Sequence, residues 1–270
     1  MITSTSNQHI KAIRKLSQKK YRRESGLFYV EGLRPITSAM NHKAAIEQFV
    51  FCEELLESEF GRDLLRKAES QAIPILEVSR DVFESISLKE GPQGLCAVVH
   101  QNSTSLLPDT SLTGLWVALE GVQDPGNLGS ILRTLDAVGG SGMLLVGEGT
   151  DAYHPTSVRA SMGAIFTLSI IQTYLEDFSR WQQKQQRTLV GAVCADVVDY
   201  RDYNYPVDMV LFMGSEQKGL TEQAVHLCTD LITIPMVGSV DSLNLANATS
   251  ILMYEIFNQN HPVKANDRID

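Results

Sequence analysis

Five short apolar runs in the second half of the chain, residues 115–119, 143–146, 189–193, 209–213 and 231–234, recur with helix-patterned stretches between them. The runs are continuously rich in Leu, Val, Met and Ile instead of alternating with polar residues. Strands of that kind are covered on both faces, so the series predicts an α/β domain around a mostly parallel sheet. Helical patterns fall near 128–138, 176–186 and 221–227, and a final helix is expected over 243–258. Sheets of this kind bind ligands beyond the carboxyl ends of their strands. That singles out the loops at 120–133, 214–220 and 235–247.

The front half reads as a smaller α/β unit. Residues 27–30, 49–52, 73–78 and 95–99 have strand character, with helices expected over 34–42 and 54–71. Residues 101–113 are rich in Ser, Thr, Pro and Asp and read as a linker. The expected organisation is a front domain over 1–100, a linker over 101–113, a second domain over 114–260 and a tail over 261–270. A chain of 270 residues is long enough for two such cores.

A net charge of −9 argues at first against a polyanionic partner. The charge is segregated, however. Lys11, Arg14, Lys15, Lys19, Lys20, Arg22 and Arg23 supply seven of the 23 cationic residues, and residues 1–23 contain no acid. Ile10, Ile13 and Leu16 recur at three-residue intervals, as on the buried stripe of an amphipathic helix. A basic segment on an acidic body can steer a polyanion to one place. By itself the segment leaves three readings open: RNA contact, a solvated charged helix, or an import presequence.

Several chemistries find no support. Gly214 and Gly219 have phosphate-loop spacing, but Leu220 and Thr221 stand where Lys and Ser or Thr are needed. The segment from Asp124 to Gly129 lacks the spacing of a dinucleotide fingerprint, and Gly147-Glu148-Gly149 runs into Thr150-Asp151 rather than an apolar helix. No Ser-His-Asp grouping with an elbow motif is visible. Cys52, Cys96, Cys194 and Cys228 are widely separated, and the six histidines lack ligand spacing, so no metal site is expected. No apolar run approaches the roughly 18 to 20 residues of a membrane span and no secretory signal is present, which makes the cytoplasm the expected location.

What remains are loops rich in Gly, Asn, Ser and Pro. Asp124-Pro125-Gly126 followed by Asn127-Leu-Gly-Ser-Ile-Leu-Arg133 resembles the first motif of SpoU/TrmH RNA methyltransferases. Gly214-Ser-Glu216 with Gly219-Leu220 resembles the second. Ile234-Pro235-Met236, Gly238-Ser239 and the segment from Ser242 to Ala248 resemble the third. At the front, Phe28-Tyr-Val-Glu31-Gly32 and the segment from Gln93 to Val98 resemble the small ribosomal-protein-like RNA-binding domain that often precedes the catalytic part.

The resemblance implies a SPOUT fold with a deep C-terminal trefoil knot, a homodimer whose sites are completed by the partner chain, and S-adenosylmethionine as cofactor. The implied reaction is methylation of a ribose 2′-hydroxyl, in 23S ribosomal RNA, with transfer RNA as an alternative substrate. It places Arg133 at the substrate hydroxyl or adjoining phosphate. Asn127, Glu216, Ser242 and Asn244 join it in the catalytic site, and Gly214, Ile234, Met236 and Leu243 hold the cofactor. It also favours RNA contact for the basic segment. From the residues alone, Asn127 and Ser242 could equally cap helices. Ala246 and Asn247 stand where the family usually has Ser and an apolar residue, and Gln217 replaces a frequent glycine. Two further readings are a non-catalytic RNA-binding or ribosome-assembly protein, suggested by Ala246, and a dinucleotide-dependent oxidoreductase, which lacks its fingerprint.

Overall fold

The computed structural model describes residues 1–88, 91–102 and 104–261. Beyond His261, the expected tail lies outside the described residues. The chain forms two compact units, one of residues 1–102 with 151–167 and one of residues 103–150 with 168–270.

The first unit begins with α1 (Gln8–Lys15) and α2 (Lys19–Ser25), followed by β1 (Leu27–Glu31), α3 (Leu33–Asn41) and β2 (Ile46–Phe51). Then come α4 (Glu59–Ser70), β3 (Ile75–Glu77), α5 (Arg80–Ile86) and β4 (Leu95–His100). The sheet order is β1-β4-β2-β3. β4 runs antiparallel to β1 and β2, whereas β2 and β3 are parallel. Ile10, Ile13 and Leu16 are buried against Tyr29, Val82, Phe83 and Cys96, as their periodicity predicts. The basic segment is nevertheless two helices, because the amides of Leu16, Ser17 and Gln18 turn back to the carbonyls of Ile13, Arg14 and Lys15 and end the first. The helix expected over 54–71 begins only at Glu59, where the Ser58 hydroxyl accepts from the Gly61 amide and caps it.

The second unit opens with β5 (Leu115–Glu120), α6 (Pro125–Ala137) and β6 (Gly142–Val146). The next segment, with α7 (Pro155–Ala160) and a 3-10 turn at Ala164–Phe166, clusters with the first unit instead of the second domain to which the sequence assigned it. There Phe28 packs against Tyr153 and Phe166, with ring centroids 4.7 and 6.0 Å away. The chain continues with β7 (Ser169–Thr173), α8 (Leu175–Gln185), β8 (Thr188–Ala192), β9 (Val198–Asp199), β10 (Met209–Met213), α9 (Glu222–Leu227), β11 (Asp230–Thr233) and α10 (Leu245–Asn260).

Seven strands form one sheet in the order β7-β6-β5-β10-β8-β11-β9, and every neighbouring pair is parallel. The five expected strands are all present, while β7 and β9 were not legible as apolar runs. The stretch read as a linker, whose Ser103 lies outside the described residues, is a packed strap. Its Leu106 and Leu112 are buried with Trp116, Phe178 and Trp181, and the Trp181 indole donates to the Thr110 carbonyl at 2.8 Å. Among the described residues no helix is long and apolar enough to cross a membrane.

Register places the site. Met213 pairs with Leu119 at the carboxyl ends of β10 and β5, so the loops beginning at Glu120 and Gly214 leave the sheet side by side. Ile232 of β11 pairs with Ala192 of β8, bringing the loop after β11 to the same edge.

Candidate active site

At that edge lies a cavity of about 470 Å3, lined by residues 192–194, 213–220, 234, 236, 241–243, 245 and 248. Gly214, Ile234, Met236 and Leu243, the four residues expected to hold the cofactor, are all on its wall, as are Glu216 and Ser242. Gly214 is glycine because of its own loop. A Cβ there would sit 1.9 Å from the Gly219 carbonyl carbon and 2.0 Å from the Leu220 nitrogen, distances no side chain can occupy. The loop closes through reciprocal bonds, Ser215 amide to Gly219 carbonyl at 3.1 Å and Gly219 amide to Ser215 carbonyl at 3.0 Å. Gly219 turns it with φ +65°, a left-handed conformation that suits glycine.

Two residues not singled out in the sequence fix the far end of this loop. Glu120 accepts from the Thr221 amide at 2.8 Å and from its hydroxyl at 2.7 Å. The same hydroxyl accepts from the Ala224 amide at 3.2 Å and caps α9. Thr221 before a helical pattern is a start signal; its partner, 101 residues away, leaves no trace in the sequence.

The three motif loops meet at Asn127. Its side-chain nitrogen donates to Glu216 Oε1 at 3.0 Å, and its oxygen accepts from Asn244 Nδ2 at 3.0 Å. Asn127 is therefore not the cap of α6. That role belongs to Asp124, whose carboxylate accepts from the Asn127 amide at 2.6 Å, with Pro125 in the first turn. Glu216 also accepts from the amides of Gln123 and Asp124, both at 3.2 Å. Burial pushes the Glu216 carboxyl up, but the bonds from Asn127 and these amides together outweigh it and hold the group below its ordinary value. Asn244 caps α10 by accepting from the amides of Ala246 and Asn247 at 2.9 and 3.3 Å. The cap reading thus fails for Ser242, which is exposed on the cavity wall.

Arg133 is not brought into this cavity. It is exposed on α6, six residues beyond Asn127, so it stands roughly 9 Å further along the axis and on a different side of the helix. Ala246, where the family usually carries serine, is buried beneath the Asn244 cap and does not line the cavity.

The basic segment divides into anchors and exposed cations. Arg22, expected to contact RNA, is only 1% exposed. Its guanidinium donates to Asp151 Oδ2 at 2.6 Å and to the Leu16 carbonyl at 2.8 Å, because a buried cation requires a paired anion and acceptors. Arg14 is tied to the Ser85 carbonyl and hydroxyl at 3.0 and 2.7 Å. Lys11, Lys15, Lys19, Lys20 and Arg23 remain exposed.

An all-parallel sheet with a cavity at its carboxyl edge, lined by the loops after β8, β10 and β11, puts the second unit among α/β domains that bind a ligand there; the first unit is a smaller α/β body. Residues 114–254 match the SpoU rRNA methylase family, and residues 7–97 match the MRM3-like substrate binding domain. The chain belongs to the SpoU rRNA methylase family, as its motifs implied. It is 30% identical to the 23S rRNA (uridine(2479)-2'-O)-methyltransferase of Streptomyces viridochromogenes, covering 90% of this chain and 87% of that one. It is 28% identical to the 23S rRNA (guanosine(2553)-2'-O)-methyltransferase RlmP of Bacillus subtilis, covering 94% and 98%. The AdoMet-bound rRNA methyltransferase from Sinorhizobium meliloti superposes with a TM-score of 0.87 at 36% identity, covering 96% of this chain and 97% of that one.

Proposed function

We propose that this protein is a cytoplasmic homodimeric enzyme that methylates one ribose 2′-hydroxyl of 23S ribosomal RNA with S-adenosylmethionine as donor. The observation that carries the reading is a cavity lined by the loops after β8, β10 and β11, the last two of which are tied through Asn127 to the loop after β5. The cavity fits the donor: its size lies in the range of small-molecule sites, with apolar walls from Ile234, Met236 and Leu243 and backbone groups of the 214–220 loop. When bound, S-adenosylmethionine supplies an electrophilic methyl group. The relatives' modified nucleotides, a uridine and a guanosine, differ, so ribosomal RNA is common to them while the nucleotide is not.

Glu216 acts in this site as a positioning residue. Held ionised and filled by three donors, it is a poor proton acceptor and instead fixes the loop after β5 against the loop after β10. Asn244 fixes the third loop in the same way. Arg133 stabilises negative charge developing on the ribose oxygen or orients the neighbouring phosphate, since a guanidinium stays protonated. Its exposure away from the cavity of its own chain supports delivery to the partner's site in the dimer.

Support for the dimer comes from α10 and the loop before it. Ile251 and Tyr254 stand one helical turn apart and are 37% and 48% exposed, and the loop before the helix exposes Val237, Val240 and Leu243. The proposed trefoil knot draws support from the sheet order: β10 lies between β5 and β8, β11 lies between β8 and β9, and α10 then returns to pack on α6. Ala246 gives no support to a non-catalytic scaffold, because the missing hydroxyl is not at the cavity.

The test is incubation of the purified protein with S-adenosylmethionine and 23S rRNA from cells lacking the gene, followed by nuclease mapping by mass spectrometry. One methyl group on a ribose is expected, recognised by resistance of the following phosphodiester to alkali. Arg133→Ala is expected to lower the rate by roughly 100-fold or more. A methyl on a base, or full activity in the variant, contradicts the assignment.

A further inference from the structure

With Arg14 and Arg22 engaged as anchors, the two N-terminal helices set two exposed lysines against one aromatic ring. Lys15 Nζ lies 4.9 Å and Lys20 Nζ 5.9 Å from the centroid of Tyr21. Lys20 also pairs with Glu24 at 3.9 Å with both side chains mostly exposed, an arrangement that contributes little and gives way to a phosphate. Tyr21 itself is half-buried, on a helix fixed by the buried Arg22–Asp151 pair.

We propose that Tyr21 is a stacking contact for single-stranded RNA, with Lys15 and Lys20 holding the phosphates on either side of the stacked nucleotide. The inference rests on the proposed RNA substrate and names where the first unit grips it. Two ammonium groups this close to one ring span no more than a nucleotide step or two, so the ring faces the sugar and base between the phosphates they attract. Aromatic rings beside cationic side chains are the usual platform for unpaired bases. The other conspicuous exposed aromatic of this unit makes the contrast. Phe60 is more exposed than Tyr21, but it stands beside the exposed carboxylates of Glu57 and Glu59, which repel a polyanion.

The experiment measures binding of a protein-free 23S rRNA transcript to the full chain by filter retention over a range of salt, together with calorimetric titration of S-adenosylmethionine. Tyr21→Ala is expected to weaken RNA binding roughly 5- to 100-fold with little change in salt slope. Tyr21→Phe retains binding, and Lys15→Gln and Lys20→Gln each flatten the slope by about one phosphate contact. Cofactor binding stays unchanged in all four, which separates this contact from the catalytic site; a wild-type chain that binds RNA but no cofactor would instead strike at the proposed enzyme. Ultraviolet crosslinking of the wild-type complex is expected to place an RNA adduct on Tyr21, a readout independent of how the variants fold. Wild-type affinity in Tyr21→Ala, or crosslinks confined to other residues, overturns the proposal.

Discussion

Asn127 joins three loops because one carboxamide offers both a donor and an acceptor. Removing it leaves Glu216 short of one donor and Asn244 without its acceptor, in a partly buried setting. Asn127→Ala is therefore expected to cost about 1 to 3 kcal/mol in urea unfolding and to weaken cofactor binding. Glu216 sets the acid limit. Its folded value lies below the ordinary one, so its contribution is complete above the ordinary carboxylate range and is lost as pH falls through the lowered value. Cofactor affinity measured by calorimetry is expected to stay flat through the ordinary carboxylate range and to fall only in more acid solution. Glu216→Gln should bind more weakly throughout and lose that acid limb; an unchanged limb would assign it to another group. At this scale the sequence displayed residue types but not partners. The motifs named Asn127, Glu216 and Asn244, whereas Arg22 looked like its basic neighbours until its long-range pair with Asp151 set it apart.

The elements show where pattern succeeds and where it fails. Strands β5, β6, β8 and β10 were legible because burial on both faces makes them largely apolar, whereas β11, in which only Ile232 is buried, showed through the short apolar run at 231–234. β7 reads Ser-Ile-Ile-Gln-Thr, with Ser169 and Gln172 exposed, as befits the outermost strand of its side of the sheet, and this weakens the signal. α5 and α7, of seven and six residues, are too short to show a helical period. The glycine loop has a readable cause at both ends. Gly214→Ala forces the loop open against the Gly219 and Leu220 backbone and is expected to abolish cofactor binding. Thr221→Val, which removes the α9 cap and one bond to Glu120, is expected to cost about 1 to 2 kcal/mol while leaving the cavity lining in place. Urea titration of both variants beside calorimetry distinguishes a deformed pocket from a weakened helix.

For the whole molecule, charge and organisation were legible in part. Segregation of cations into the first 23 residues held against a net −9 pointed to one polyanion-facing region. The attachment of residues 151–167 to the first unit was invisible, since contacts such as Phe28 with Tyr153 join positions far apart in the chain. Sedimentation of the native protein is expected to show a dimer, and a charge at the apolar stripe of α10, Tyr254→Glu, is expected to yield monomers that bind cofactor more weakly. A wild-type monomer with full methylation activity would leave Arg133 without the delivery proposed for it.

The central claim is that the cavity at the carboxyl edge of the seven-stranded sheet holds the methyl donor. A crystal grown with S-adenosylhomocysteine tests it most directly. The account predicts electron density for the nucleoside between the 214–220 loop and Leu243, against Ile234 and Met236. Density for the ligand elsewhere in the molecule, with this cavity filled by water, would contradict it.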